Sequence, residues 1–276
     1  MQTRKLPWAS LVVLLFTVAA CSLVNTQRRD ESFTVSGPAR LEGDVGISRV
    51  MVHGADTDRI RIHSTLRHAR QTGFRTTQSG DTVRIEVDSA AGFASSAGQP
   101  AVEIIATVPE TTELDLTSST GDIYIDEIAG PIVLVTSSGS LQLSDCRGEI
   151  ELANQTGTTE CRRVDGTFLI RSAAGSVILN DVSGAFDIET DSSDIDLKGR
   201  LAGERNHRLI STTGAIELAI LGTPDLRLHA TSETGLVRCL LTMREQSITD
   251  HQCSGVLGSG AGTLQVQTST GRVTVR

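Results

Sequence analysis

The sequence predicts an all-β chain wound as a parallel β-solenoid (β-helix) of 18-residue coils, with an irregular β cap at its N-terminal end. Three observations predict it. Glycines recur at a fixed period: Gly121, Gly139, Gly157 and Gly175 are 18 residues apart, and Gly130, Gly148, Gly166 and Gly184 repeat that spacing. Apolar residues hold phase in columns, such as Leu114, Ile132, Ile150, Phe168, Phe186 and, two residues on, Leu116, Leu134, Leu152, Ile170, Ile188. Others run Ile123, Leu141, Thr159, Val177, Ile195, then Ile125, Leu143, Cys161, Leu179, Leu197, then Ile128, Cys146, Val164, Val182. A period of about 20 residues marks a unit that cannot bury its own face and must stack on copies of itself. Within each coil, finally, apolar alternates with polar, as in Leu141-Gln142-Leu143. That is the period of a strand with one face inward, and no window carries the spacing of an amphipathic helix.

At the N-terminus, Arg4 and Lys5 precede the apolar run Leu11 to Ala20, and Cys21 follows. A basic start, a short apolar stretch and small residues at the cut describe a secretory signal, too short for a membrane span. Val18-Ala19-Ala20-Cys21 resembles the bacterial lipobox. That resemblance implies cleavage before Cys21 and diacylglycerol on its sulfur, hence a membrane partner held through a lipid anchor. Ser22, rather than aspartate, after the cysteine suggests the outer membrane in a Gram-negative host. The expected layout is a signal peptide over 1–20, a polar tether over 21–31, a β cap with first coils over 32–110 and regular repeats over 111–276.

Removing residues 1–20 takes Arg4, Lys5 and the single tryptophan, Trp8, and leaves 23 basic against 33 acidic residues, a formal charge of −10. An acidic chain with few aromatics does not suit nucleic acid, which needs basic grooves and stacking platforms.

Strands in the cap are expected at Phe33–Val35, Arg49–His53, Arg59–His63, Thr82–Val87 and Val102–Val108, separated by turns at Gly37-Pro38, Gly54-Ala55-Asp56 and Gly80-Asp81. Such an irregular section suits the end of a solenoid, where strand edges would otherwise lie open. The small-residue run Ser89 to Pro100 reads as a loop. In the regular coils, the first corner carries Thr117-Ser118-Ser119-Thr120, Thr136-Ser137-Ser138, Asn154-Gln155-Thr156 and Thr190-Asp191-Ser192. These side chains are expected to bond turn amides or their counterparts one coil away, rather than to act as nucleophiles, because no histidine is in phase with them. After Leu197 the period stretches by three residues near Gly199–Asn206, then returns. Gly235 and Gly271, 36 residues apart, read as two whole coils, and the intervening Leu240–Gly262 segment reads as a loop-bearing coil. The chain ends on a strand, whose edge must be covered or serve as an interface.

The run from Val108 to Ile125, with Gly80-Asp81-Thr82-Val83-Arg84-Ile85 upstream, resembles a bacterial putative-adhesin domain family of unknown function. Its members are secreted or lipid-anchored β-solenoids that repeat strand, Thr/Ser-rich corner, glycine, strand, glycine. The resemblance covers roughly residues 33–276. It implies a fold and an envelope location rather than a reaction.

Candidate chemistry is sparse. With Cys21 lipidated, Cys146, Cys161, Cys239 and Cys253 form an even set for an oxidising compartment. Cys239–Cys253 would staple the late loop. Cys146 and Cys161, inward on neighbouring coils but three positions out of register, either bridge diagonally or serve as small core residues. No CxxC or CxxH pair suggests zinc. Asp187, Asp191, Asp194 and Asp196, and Asp122, Asp126 and Glu127, read as solvated faces, since a calcium site needs six or more converging oxygens. The six histidines lack ligand spacing. No catalytic, cofactor or metal residue is assigned. The expected function is therefore non-catalytic: a lipid-anchored envelope protein presenting a solenoid surface to an unidentified envelope protein or surface ligand, for adhesion or scaffolding. The alternative is a β-helix carbohydrate-active enzyme of the polysaccharide lyase or hydrolase type.

Overall fold

A computed structural model of the chain describes residues 26–67, 72–89 and 102–276. The signal segment, Cys21 and most of the small-residue run before Pro100 lie outside the described residues. Regular structure among the described residues is all strand. The cap holds β1 (Gln27–Thr34), β2 (Arg40–Gly46), β3 (Ser48–Ala55), β4 (Arg59–Leu66), β5 (Thr72–Ser79), β6 (Thr82–Ser89) and β7 (Val102–Pro109). The regular coils hold β8 (Glu113–Thr120), β9 (Ile123–Asp126), β10 (Ile132–Ser138), β11 (Leu141–Ser144), β12 (Arg147–Arg162), β13 (Asp165–Thr190), β14 (Asp194–Leu201), β15 (Asn206–Ser211) and β16 (Ile216–Ile220). The C-terminal end holds β17 (Leu226–Ser232), β18 (Val237–Cys239), β19 (Arg244–Ile248), β20 (Gln252–Leu257), β21 (Gly262–Thr268) and β22 (Val273–Val275).

Successive coils pair in parallel at the predicted register. On the first face Leu114 lies opposite Ile132, Ile132 opposite Ile150, and Ile150 opposite Phe168. On the second face Ile125, Leu143, Cys161 and Leu179 form a matching ladder. The alternation seen in sequence is the alternation of burial: the inward columns are almost completely inaccessible and the residues between them are not. Phe168 and Phe186 stack with centroids 4.8 Å apart, so the aromatic pair fills adjacent layers of one column.

The corner glycines are required by close approach. Gly139, Gly157 and Gly175 have φ of 139°, 136° and 127°. A Cβ on each would fall 2.1, 2.1 and 2.0 Å from the carbonyl oxygen of the glycine one coil away. The second corner is built differently. Glu127, Asp145, Arg163 and Asp181 occupy the left-handed region at φ between 53° and 57°, again one per coil. This ladder of strained non-glycine residues, each costing about 1 kcal/mol, has no counterpart in the sequence reading.

Both ends depart from sequential stacking. The β2–β3 coil lies between β6–β7 and β8–β9: Leu41 pairs with both Val83 and Leu114, and Val50 with both Ile104 and Ile123. The stack therefore runs without a break through residue 110, and β2 and β5 are additional to the strands expected there. Beyond β6–β7 the end is closed by antiparallel strands, β5 on β6, β4 on β7 and β1 on β4. β1 begins inside the segment expected to be a tether. Its inner side meets β5, where the Arg29 guanidinium donates to the Phe74 carbonyl at 2.9 Å and Gln78 to that of Thr34 at 2.8 Å.

At the other end β21–β22 sit between β15–β16 and β17–β18. Gly235 and Gly271 are thus neighbours in adjacent layers, not two coils apart, since a Cβ on Gly235 would lie 2.0 Å from the Gly271 carbonyl. The Leu240–Gly262 segment is not a coil either: β19 and β20 form an antiparallel hairpin that pairs with β17 and extends the first face past its open edge. The last strand, β22, is flanked on both sides.

Candidate functional site

The side chains with chemical potential are best followed by where each column points. At the first corner the middle residue turns inward. Ser118, Thr136, Asn154, Ser172 and Thr190 are between 1% and 4% exposed, and Ser211, Thr268 and Ser232 continue the column. Each is tied to corner backbone or to a neighbour. Ser118 Oγ donates to the Gly46 carbonyl at 3.0 Å, Asn154 Nδ2 to that of Gly139 at 3.1 Å, and Thr190 Oγ1 to that of Ser193 at 3.0 Å. Ser211 Oγ donates to the Ser193 carbonyl at 3.1 Å while accepting the Gly214 amide at 2.9 Å, and Thr268 repeats this with Gly214 and Gly271. The hydroxyl-rich corner is a hydrogen-bonded spine of the fold.

The cysteines divide by position. Cys239, ending β18 on the second face, is joined to Cys253 on β20 of the first, so the bridge spans the open end of the core. The diagonal Cys146–Cys161 bridge is not formed: both are free thiols in the core. Cys161 points inward from the second face and Cys146 from the second corner, and burial pushes the Cys146 thiol up to about 11 and raises that of Cys161 further. A thiolate nucleophile is unavailable at either site.

The acidic run separates in space. Asp187 points out on the first face between Arg171 and Arg208, at 3.3 and 3.5 Å. Asp191 is exposed at the first corner, while Asp194 and Asp196 lie on the second face, where Asp194 Oδ1 accepts the Ala215 amide at 2.8 Å. Asp122 likewise accepts the Ser140 amide at 3.0 Å from the next coil. Among the described residues no three His, Cys, Asp or Glu side chains converge as a metal site. The histidines are scattered: His53 reaches Asp126 at 3.2 Å, and His63 pairs with Asp30. His207 is buried beneath Phe186, its Nδ1 accepting the Phe186 amide at 3.3 Å and its Nε2 donating to the Ala202 carbonyl at 2.9 Å. Burial lowers its pKa, so it is held neutral. His68 lies outside the described residues.

Shallow concavities open on the regular coils. One of about 390 Å³ opens at the first corner where small Ala153 and Ala173 lie beside Val135, Arg171, Glu189 and Asp191. Another, about 430 Å³, lies at the second corner and is walled by Glu110, Glu127, Asp145, Arg163 and Asp165. Arg163 closes a bidentate pair with Asp145 there, both bonds 2.7 Å, which holds the Asp145 carboxyl below its usual range. The wider feature is the flat outer surface of each sheet. At the cap end of the second face it presents Ile105, 41% exposed, beside Met51 and Tyr124.

No curated protein matches the chain. A solved structure from Clostridium sporogenes ATCC 15579, described as "a putative cell adhesion protein", is 12% identical, with a TM-score of 0.35 and coverage of 90% of this chain and 99% of that one. Another, from Parabacteroides distasonis ATCC 8503, described as "Putative lipid binding protein", is 10% identical, with a TM-score of 0.47 and coverage of 90% and 97%. The Toastrack DUF4097 family model matches residues 41–276, from the first strand of the β2–β3 coil to the last residue. By that match, which takes in every coil of the stack, the chain belongs to the Toastrack DUF4097 family.

Proposed function

We propose that this is a non-catalytic envelope protein, anchored through diacylglycerol on Cys21, that presents the outer faces of its solenoid for adhesion or scaffolding. The observation that carries the reading is that its chemically able side chains are committed to the stack. The first-corner hydroxyls hold corner carbonyls, the free thiols and His207 are buried, and the carboxylates are dispersed over two faces and both corners. Glycosidase chemistry needs two carboxyls facing across a cleft with their pKa values pushed apart, and the acids here lie on open sheet surfaces or line the shallow second-corner concavity, where Arg163 holds Asp145. The purified protein, incubated with acidic and neutral polysaccharides, is expected to release no reducing ends and no unsaturated products. Turnover lost on changing Asp194 or Asp196 would overturn the reading. Replacing Cys21 with Ser is expected to abolish lipid labelling and release the protein from membranes with its β-rich circular dichroism intact. A Cys21→Ser protein that stays lipidated and membrane-bound would refute the anchor.

A further inference from the structure

We propose that the outer face of the N-terminal cap, formed by β1, β4, β7, β3 and β9, rests obliquely against the anionic phospholipid headgroups of the leaflet that holds the anchor, the solenoid axis tilted so that the acidic coils continuing the same sheet rise away from it. The proposal rests on the lipid-anchor reading above.

The face has an apolar row. Ile105 on β7 is opposite Met51 on β3, and Met51 is opposite Tyr124 on β9, so three outward side chains follow one another at about 4.8 Å. Tyr124 is the only tyrosine in the chain. Beyond it the same row turns polar, with Gln142 and Glu160 on the next two coils. An aliphatic and tyrosine strip beside arginines is the chemistry of a lipid–water interface, the ring resting at headgroup depth and the guanidinium on phosphate.

Arginines flank the row. Arg61 on β4 and Arg28 on β1 point to the same side, and among the described residues neither meets a carboxylate. Arg49 stands beside Asp122 at 3.8 Å. The carboxylates of the face are largely occupied, Asp30 by His63 and Asp126 by His53; Glu103 meets no cation among the described residues.

Charge is segregated along the chain in the sense the proposal needs. Residues 21–109 carry ten basic and ten acidic residues, whereas residues 110–276 carry thirteen basic and twenty-three acidic. Further along the second face stand Asp194, Asp196 and Glu217. An anionic leaflet repels such groups within a Debye length of about 8 Å and leaves the neutral cap as the end that approaches. The chain's own geometry brings it there. β1 is the edge strand of this face, and Gln27, where it starts, is six residues after Cys21. Six residues span at most about 20 Å, which keeps the cap within reach of the headgroups.

The test uses the mature, acylated protein in vesicles of phosphatidylethanolamine with phosphatidylglycerol, and in vesicles of phosphatidylcholine alone. With Trp8 removed in the signal, emission comes from Tyr124, so brominated lipids report its depth directly. The expected result is loss of most Tyr124 emission with brominated lipid in the anionic vesicles and little loss in phosphatidylcholine. The double change Arg28→Glu and Arg61→Glu, or Ile105→Asp alone, is expected to remove that difference while the protein stays vesicle-bound through its acyl chains. Circular dichroism checks that these outward changes leave the fold intact. An acylated, vesicle-bound protein whose Tyr124 is equally open to acrylamide and untouched by brominated lipid overturns this proposal alone. A protein with no acyl mass on Cys21 and no vesicle recovery overturns the anchor reading, and this proposal with it.

Discussion

At the scale of single residues, the inward columns set what the core tolerates. Leu179 is 1% exposed between Cys161 and Leu197, so Leu179→Asp places a charge among stacked side chains with no partner. That costs more than about 4 kcal/mol, comparable with the whole stability margin of a domain, and loss of soluble folded protein is expected. Gln142, one residue from the inward Leu143, points out, and Gln142→Asp is expected to shift the urea midpoint little. Equal damage at the two sites would sink the register. Thr159 interrupts the Ile123–Leu141–Val177 column with a hydroxyl that is fully buried and finds no hydrogen bond among the described residues. Thr159→Val keeps the shape and removes that unpaired group, so a gain of about 1 kcal/mol in urea unfolding is expected, and a loss would show the hydroxyl to be bonded. His207 gives a pH dependence of defined sign. Burial lowers its folded pKa below the unfolded value of about 6.5, so below that pH the unfolded chain binds the proton more readily and stability falls. The stability present at pH 7.5 is expected to decline progressively on going to pH 5. A His207→Gln variant, compared by urea midpoints across that range, should show a shallower decline, and parallel curves for the two proteins would remove His207 as the cause.

Elements are held in phase by their corners, and the two corners differ in what they reveal. The glycine column was legible because each glycine must repeat where the preceding coil's carbonyl comes within van der Waals distance. Gly157→Ala should therefore be severe, on the order of 3 kcal/mol, because its Cβ would strike the Gly139 carbonyl at 2.1 Å. Gly80→Ala is the control: its φ of 61° carries strain, but open space surrounds the added methyl. Thermal midpoints of the two variants compare clash with strain alone, and equal losses would count against the carbonyl contact. The left-handed ladder Glu127–Asp145–Arg163–Asp181 was not legible, since these residues share a backbone conformation but no side-chain type. The hydroxyl spine was half legible. Ser and Thr at the first corner announce hydrogen bonding, but only burial distinguishes Thr136, which turns in, from Ser137, which does not.

For the molecule as a whole, phase gives the register of a coil but not its neighbour. Leu264, Val266, Val273 and Val275 are in step with Leu209 and Leu218 wherever along the stack they are placed, which is why the sequence could not show β21–β22 between β16 and β18. The same holds for the β2–β3 coil at the other end. This inverted order makes the last 15 residues, Gly262 to Arg276, an internal layer of the solenoid supplied by the chain's terminus. In a sequential solenoid, losing a terminal coil removes one nearest-neighbour interface. Here deletion of residues 262–276 removes two, opening the edges of β15–β16 and of β17–β18 at once. The Cys239–Cys253 hairpin would stay folded against β17, yet its docking on the remaining coils would be lost. The truncated protein is expected to aggregate through its open edges, and limited proteolysis should cut first between Leu221 and Leu226, the connection left to carry the detached end. Replacing only the β19–β20 turn, Thr249–His251, with another turn leaves both interfaces in place and should leave the urea midpoint near that of the intact protein. A truncated chain that remains monomeric with an unchanged midpoint would show that β21–β22 fill a gap the stack can close without them.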